Sequence, residues 1–137
     1  MDDLPVVKHF GRGDRVYVQA QQVWLILAGY VMNSERNSKR PATMTYGDLA
    51  ERMGYPDRRA GHTLSRQLGI VGKLCTMNDL PALNAIVVNQ DTLLPGADVL
   101  LRPGKSVKEE QAAIMKTDWN SIRVPTTGTF RRAWEVL

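Results

Sequence analysis

The chain has 137 residues, of which 43% are hydrophobic and 23% charged, and it contains a single cysteine. This length suits one ordinary domain, and this balance excludes a fibrous repeat or a fully disordered chain. No apolar run reaches the roughly 18 residues that a membrane span needs, and the N-terminus has no basic and apolar leader. A lone cysteine cannot form an internal disulfide and suits a reducing compartment. We therefore expect a cytoplasmic protein with no membrane partner.

The net charge of +4 is concentrated in the middle of the chain. Residues 36–73 carry eight lysines and arginines against three acidic residues, whereas residues 74–137 carry seven of each. A local excess of positive charge is what a polyanion-binding surface needs, because each neutralised phosphate releases a condensed counterion. Charge alone leaves a second interpretation open, in which a solvated basic face only keeps the protein soluble.

The first element predicted along the chain is a helix from Asp14 to about Asn33. Apolar residues recur at helical spacing from Val16 to Tyr30, which indicates one face turned towards a core. Residues 1–13 have no clear period and are expected to be irregular. The stretch 34–43 is polar and basic and is expected to form a loop.

A short helix and a longer one are predicted next. The segment Thr45–Asp48 has the pattern of a capping box, and Gly54 can end the short helix in the left-handed conformation. Asp57 is a natural N-cap for the longer helix. Its core-facing residues recur every four positions: Ala60, Leu64 and Leu68. Its outer face is left with polar and basic side chains: Arg58, Arg59, His62, Ser65 and Arg66.

Strands and two further helices are predicted in the second half of the chain. Gly69 and Gly72 weaken the longer helix, which is expected to resume until about residue 78. The apolar runs 83–89 and 93–101 flank a segment with turn chemistry and predict a two-stranded hairpin. A capping box at 106–109 predicts a helix to about residue 116, and residues 127–136 are expected to form a last short helix.

This order of elements predicts a mainly α protein with a small β-hairpin, in the α+β class. It is the layout of a winged helix-turn-helix with an extra N-terminal helix and a C-terminal helical extension. Residues 1–137 would form a single domain, with the winged helix-turn-helix core over 14–96 and the extension over 97–137 packing on that core. Winged helices bind proteins as well as DNA, so topology alone leaves both kinds of partner open.

Three short segments carry a resemblance to a known family. They read TYGDLA over 45–50, GYP over 54–56 and RRAGHTL over 58–64. Together they resemble the DNA-binding domain of the O6-alkylguanine-DNA alkyltransferases and of their non-catalytic relatives, the alkyltransferase-like proteins. The segment 80–96 is also similar to the strand, turn and glycine after that family's active-site motif. The resemblance covers residues 43–96.

The resemblance implies roles for three residues of this chain. Tyr46 matches the tyrosine that presses on the target phosphate. Arg58 matches the arginine that fills the gap left by a flipped nucleotide, and Gly61 matches the glycine of the recognition helix. These roles imply a DNA-facing surface on the two middle helices.

The family's catalytic motif is absent from this chain. Where the family has P-C-H-R-V, residues 83–87 read LNAIV, so Asn84 stands in place of the nucleophilic cysteine and Ala85 in place of its histidine base. Alkyl transfer needs a thiolate that an adjacent base activates. The sequence therefore predicts that the DNA-binding scaffold is present without the repair chemistry, and that the protein is not an enzyme.

Other residues that could carry chemistry have simpler interpretations. Cys75 follows a helical apolar stripe and is expected to be a buried packing residue. Trp24 and Trp119 are expected to pack in the core. His9 and His62 lie far apart with no partner at metal-binding spacing, so we expect no metal site and no other cofactor.

The sequence therefore predicts a non-catalytic protein that binds double-stranded DNA. The residues expected at the recognition surface are Tyr46, Arg58, Arg59, His62, Ser65 and Arg66. The residues expected to add phosphate contacts are Arg36, Lys39, Arg40 and Lys73.

The alternative is a protein-binding adaptor or inhibitor, such as a subunit or antagonist of a nuclease or defence complex. Residues 106–137 would then supply the contact surface, and the oligomeric state stays open. The surroundings of the arginines discriminate between the two hypotheses. Arginines exposed together beside the hairpin favour DNA, whereas arginines paired with neighbouring acids favour a protein partner.

Overall fold

The computed structural model describes residues 4–34, 40–96 and 99–136, and this part of the chain is mainly helical. Its α-helices are α1 (Val16–Met32), α2 (Tyr46–Arg52), α3 (Ser65–Met77), α4 (Val107–Lys116) and α5 (Thr127–Glu135). Short 3₁₀ segments cover Arg58–Leu64, Leu83–Ile86 and Trp119–Ser121. Two strands of two residues each, β1 (Met44–Thr45) and β2 (Val87–Val88), complete the secondary structure. The prediction of a mainly α protein in the α+β class is confirmed.

The core is built around α1. One face of this helix is buried against α3 and α5, and its residues are Ala20, Val23, Trp24, Leu27, Ala28 and Val31. The Trp24 ring meets the Trp119 ring edge to face, with the ring centroids 5.5 Å apart, and it also contacts Phe130 of α5. The indole N–H of Trp119 donates to the carbonyl of Ile114 at 2.9 Å. Both tryptophans are therefore core residues, as predicted.

The predicted hairpin over 83–101 is wrong. The first apolar run begins as a buried 3₁₀ turn, and its strand β2 pairs in parallel with β1, so that Met44 lies opposite Val87. The second run forms no strand at its described residues, 93–96 and 99–101, while residues 97 and 98 lie outside the described part. At its start Leu93 has a φ of +58° and Pro95 has no N–H to donate, and neither suits a ladder. The chain still reverses direction here, since the N–H of Asn89 donates to the carbonyl of Leu94 at 2.9 Å. Among the described residues, β2 therefore has β1 as its partner and no antiparallel wing is formed.

The ends of α2 and the start of the next segment are set by local side-chain hydrogen bonds. The Thr45 hydroxyl accepts from the N–H of Asp48 at 3.0 Å, and the Asp48 carboxylate accepts from the N–H of Thr45 at 3.1 Å. Gly54 adopts a φ of +88°, which ends this helical region. The Asp57 carboxylate accepts from the N–H of Arg59 at 2.9 Å. The predicted capping box and the predicted N-cap are confirmed.

The longer predicted helix has two parts. Residues Arg58–Leu64 form a 3₁₀ segment, and α3 then runs without a break through Gly69 and Gly72. The helix reaches about residue 78, as predicted, and the expected weakening at the two glycines produces no break in it. Of the two, Gly72 is required by close packing, whereas a Cβ at Gly69 would make an ordinary contact. A Cβ at Gly69 would lie 3.5 Å from the Trp134 ring, and a Cβ at Gly72 would lie 2.6 Å from the Asn84 side chain.

The C-terminal helices pack onto the same core. The predicted capping box of α4 is present, since the Ser106 hydroxyl accepts from the N–H of Glu109 at 3.1 Å. Glu110 is fully buried, where it forms an ion pair of 2.8 Å with Arg102 and accepts from the N–H of Ala82 at 2.8 Å. The hydrogen bond to Ala82 connects α4 to the residue just before the Leu83–Ile86 turn, and the ion pair connects α4 to Arg102. Within the described residues, no helix combines the length and the apolar character that crossing a lipid bilayer requires.

Candidate nucleic-acid interface

Tyr46 and His62 are brought together by a close approach of the backbone. Helix α2 and the Arg58–Leu64 segment are so close at Gly61 that a Cβ there would lie 2.3 Å from the carbonyl oxygen of Tyr46. No L side chain fits in this space, so glycine is required. As a result, the rings of Tyr46 and His62 stack, with centroids 6.3 Å apart and planes inclined by 23°.

Four of the predicted site residues line one open depression of about 170 Å³. They are Tyr46, Arg58, Arg59 and His62. The same depression is also lined by Asn89 and Gln90, from the loop that follows β2. The sequence assigned these two residues only to a turn. In the sequence, the signal that could have indicated their role in the site was that they are polar residues between two apolar runs.

Arg58 lies between two acidic residues of α2. Its guanidinium forms an ion pair of 2.8 Å with Asp48 and a second pair with Glu51. Hydrogen bonding to Asp48 and then to Glu51 raises the pKa of Arg58. The pKa of Asp48 is held below its ordinary value, first by the hydrogen bond from the Thr45 N–H and also by Arg58. All three side chains are well exposed, so water and salt screen these pairs.

Arg59 and Arg66 differ in their surroundings. Arg59 forms an ion pair of 2.9 Å with Asp57, and its hydrogen bonds lower the pKa of that carboxylate. Arg66, in the first turn of α3, is exposed and forms no ion pair within the described residues. Two of the three arginines are thus paired with acids, as expected for a protein partner. The third, Arg66, has no such ion pair among the described residues, as expected for an arginine that contacts DNA.

The remaining predicted contacts are not gathered at this depression. Ser65 is exposed at the start of α3, and Arg40 is exposed before β1. The Lys73 ammonium donates to the carbonyls of Trp134 at 3.0 Å and Val136 at 2.6 Å, so it caps the end of α5. Arg36 and Lys39 lie outside the described residues.

A second cavity, of about 100 Å³, shares Tyr46 with the depression. Its other lining residues come from α3 and from the segments around β2: Ser65, Leu68, Gly69, Asn84, Gly96 and Val99. The Tyr46 hydroxyl accepts a hydrogen bond of 3.0 Å from the N–H of Gly96. Asn84, which the sequence placed at the position of the family's nucleophile, is only 5% exposed. Leu68 and Val99 had no sequence signal of a role here, whereas Gly96 is the glycine of the segment 80–96 that resembles the family.

The single thiol of the chain lies away from both cavities. Cys75 is fully buried on α3, and burial raises its pKa to about 12. The prediction of a buried packing residue is confirmed. Within the part of the chain that the structure describes, no three metal-ligating side chains cluster.

Comparison with protein-family models, with curated proteins and with solved structures finds no match for this chain. The resemblance to the alkyltransferases therefore depends on the segments at 45–50, 54–56 and 58–64.

Proposed function

We propose that this protein binds double-stranded DNA without catalysing a reaction. The binding surface is formed by Tyr46, Arg58, Arg59, His62 and Arg66, and we call it the α2–α3 surface. The observation that carries the proposal is the depression that gathers Tyr46, Arg58, Arg59 and His62 at one place. Cationic and aromatic side chains around an open depression suit a phosphate backbone, because they combine charge with hydrogen-bond donors.

The order of α2, the Arg58–Leu64 segment and α3 supports this proposal. In a helix-turn-helix, a first helix braces the backbone while the next one presents polar side chains to the major groove. Here the exposed side chains of the Arg58–Leu64 segment and the first turn of α3 include Arg58, Arg59, His62, Thr63, Ser65 and Arg66. We propose a winged-helix-like scaffold in which the Asn89–Gln90 loop takes the place of the missing hairpin.

Tyr46 has a hydrogen-bonding capacity that suits a phosphate. Its hydroxyl oxygen accepts from the Gly96 N–H, which fixes the ring while the hydroxyl proton stays available. That proton can be donated to a phosphate oxygen at the rim of the depression. The role that the family resemblance implies for Tyr46 is consistent with this position.

The ion pairs of Arg58 and Arg59 do not prevent binding. Exposed pairs contribute little to stability and weaken with salt, so a phosphate can compete for the guanidinium. The acids nevertheless repel DNA in the free protein. We therefore expect modest affinity, in which Arg66 contributes most per residue.

The proposal includes no catalysis. Asn84 and Ala85 replace the thiol and the base of the related motif, and Cys75 is buried with a raised pKa. A buried thiol with a pKa of about 12 is not a nucleophile at neutral pH. The repair reaction of the family therefore has no thiolate in this chain.

The test compares two double variants that lose the same charge. We expect Arg59→Ala/Arg66→Ala to weaken binding to a duplex of about 20 base pairs by tenfold or more, and to reduce the salt slope by about 2. The matched control is Arg123→Ala/Arg131→Ala, which removes two exposed arginines outside the α2–α3 surface. Fluorescence anisotropy measures both. Equal loss in the two variants would contradict a localised surface.

A protein partner is the second candidate function, and three observations favour it. Arg58 and Arg59 are paired with acids, and an apolar groove of about 530 Å³ runs beside α5. The irregular N-terminal segment also exposes large apolar side chains: Leu4, Val6, Val7 and Phe10. Exposed apolar surface is common at association sites. An anisotropy titration that stays flat at low salt would favour this function over DNA binding.

A further inference from the structure

The segment before α1 carries several apolar side chains that the described residues leave uncovered. Leu4, Val6 and Val7 are 68%, 83% and 76% exposed, and Phe10 is 40% exposed. We call residues 4–10 the N-terminal arm. Alternate residues of an extended segment share one face, so Leu4, Val6 and Phe10 can contact one surface together. An apolar surface that covers these side chains would be stabilised by removing them from water.

A compact turn separates this arm from α1. The N–H of Gly11 donates to the Asp14 carboxylate at 2.8 Å, and the N–H of Asp14 donates to the carbonyl of Gly11 at 3.3 Å. Gly13 within this turn has a φ of +82°, a conformation that favours glycine. The arm is therefore joined to α1 through a defined turn, while its apolar side chains remain exposed to solvent.

An apolar groove of about 530 Å³ lies beside the start of α5, and we call it the α5 groove. Its apolar lining residues are Trp24, Leu74, Leu80, Ile122, Val124 and Pro125. Arg123 also lines the groove and forms no ion pair within the described part of the chain. A mostly apolar groove of this volume has room for several aliphatic side chains.

The arm leaves the domain next to the α5 groove. Val16 of α1 and Gly128 of α5 line one cavity, and Thr126 and Thr129, on either side of Gly128, line the groove. The arm does not fill the groove of its own chain, since its apolar side chains are exposed. When two copies face each other across a two-fold axis, the arm of each copy starts beside the groove of the other.

We propose that the N-terminal arm of one copy of this chain occupies the α5 groove of a second copy, and that the two copies exchange arms reciprocally. The exposed arm and the open groove then cover each other in a closed, symmetric pair. Charge also favours this occupant, because Asp2 and Asp3 precede the arm in the sequence and Arg123 lines the groove. The inference does not rest on DNA binding, since the groove and the depression have no lining residue in common.

Analytical ultracentrifugation from about 1 µM to about 1 mM protein measures this association. We expect a monomer–dimer equilibrium with a Kd of about 10–100 µM, as for a small interface. We expect Leu4→Ser/Val6→Ser, in the arm, to raise this Kd about tenfold or more, because the pair then buries less apolar surface.

Two results of this measurement would overturn the proposal. The first is a wild-type chain that stays monomeric at about 1 mM, in which case the groove takes its own arm or a different protein. The second is a dimer that the arm variant leaves unchanged, because the two copies would then meet through another surface.

Val124→Asp tests the groove, and Leu100→Asp is its matched control. Both side chains are 43% exposed, and Leu100 does not line the groove. We expect Val124→Asp to raise the dimer Kd about tenfold or more, and Leu100→Asp to change it by less than about threefold. Equal effects of the two changes would overturn the assignment of the groove. The arm variant remains decisive if Val124→Asp does not fold, because Leu4 and Val6 are exposed and lie outside the helices and strands.

A mixture of the two variants distinguishes reciprocal exchange from other modes of pairing. The arm variant keeps an intact groove and the groove variant keeps an intact arm, so a mixed pair restores one of the two contacts. We expect the mixture to associate more tightly than either variant alone and less tightly than the wild type. A mixture that associates no more tightly than the separate variants would overturn the exchange of arms.

Discussion

The position of Tyr46 depends on the single residue Gly61. The missing side chain lets the backbone of the 3₁₀ segment approach α2, and this approach stacks Tyr46 on His62. The family resemblance marked this glycine, but only the structure shows what it contacts. In the same way, sequence placed Arg58 on the outer face correctly. Its pairing with Asp48 could not be predicted, because it depends on how the two segments cross.

Two alanine substitutions test this close approach. Gly61→Ala places a methyl group against the backbone of Tyr46, and we expect it to lower the free energy of unfolding by about 3 kcal/mol. Gly29→Ala is the matched control, because it lies inside α1 with open space around it. We expect that change to raise stability by about 1 kcal/mol. Urea denaturation measures both, and similar effects of the two changes would contradict the packing described at Gly61.

The burial of Cys75 should protect its thiol from chemical modification in the folded protein. Because its thiol is buried and its pKa is raised to about 12, we expect no reaction with a disulfide reagent at pH 8 in the folded protein. The same reagent should label one thiol per chain after unfolding in guanidinium chloride. Rapid labelling of the folded protein would show that the thiol is accessible and ionised.

The starts of α2 and α4 could be predicted from the sequence, whereas the pairing of β2 with β1 could not. The capping boxes at Thr45 and Ser106 involve residues three positions apart, so the sequence contains the whole interaction. The apolar run that contains β2 was also recognised. Its partner β1 has only two residues, which is too short to produce a periodic signal, and it lies more than 40 positions earlier. A turn-like segment after β2 therefore suggested a hairpin that the chain does not form.

The capping box of α2 predicts a dependence of stability on pH. The pKa of Asp48 is lowered in the folded state, so its carboxylate stabilises the fold above the ordinary pKa, and this contribution is lost as the pH falls through the lowered value. We expect Asp48→Asn to be less stable than the wild type at pH 7. The difference should shrink between about pH 5 and about pH 3.

Denaturation by urea at a series of pH values measures this difference. The lowered pKa values of Asp57 and Glu109 affect both proteins alike and cancel in the comparison. A difference between the two proteins that stays constant down to pH 3 would mean that the charge of Asp48 contributes nothing to the fold.

At the scale of the whole molecule, the uneven distribution of charge has a structural counterpart. The basic segment 36–73 supplies α2, the 3₁₀ segment and the first half of α3, and these form the α2–α3 surface. The three acidic residues of that segment, Asp48, Glu51 and Asp57, lie among its arginines and pair with two of them. Counting charges along the sequence therefore overestimated how much of the positive charge of this segment is free of ion pairs.

The dependence of DNA affinity on salt is the first measurement to make, because it shows directly whether the α2–α3 surface binds the phosphate backbone. Wild-type protein is titrated into a labelled duplex of about 20 base pairs at salt concentrations from about 50 mM to about 200 mM. A surface that neutralises three or four phosphates predicts a plot of log affinity against log salt with a slope of about −3. A slope near zero, or no binding at the lowest salt, would contradict DNA binding by the α2–α3 surface.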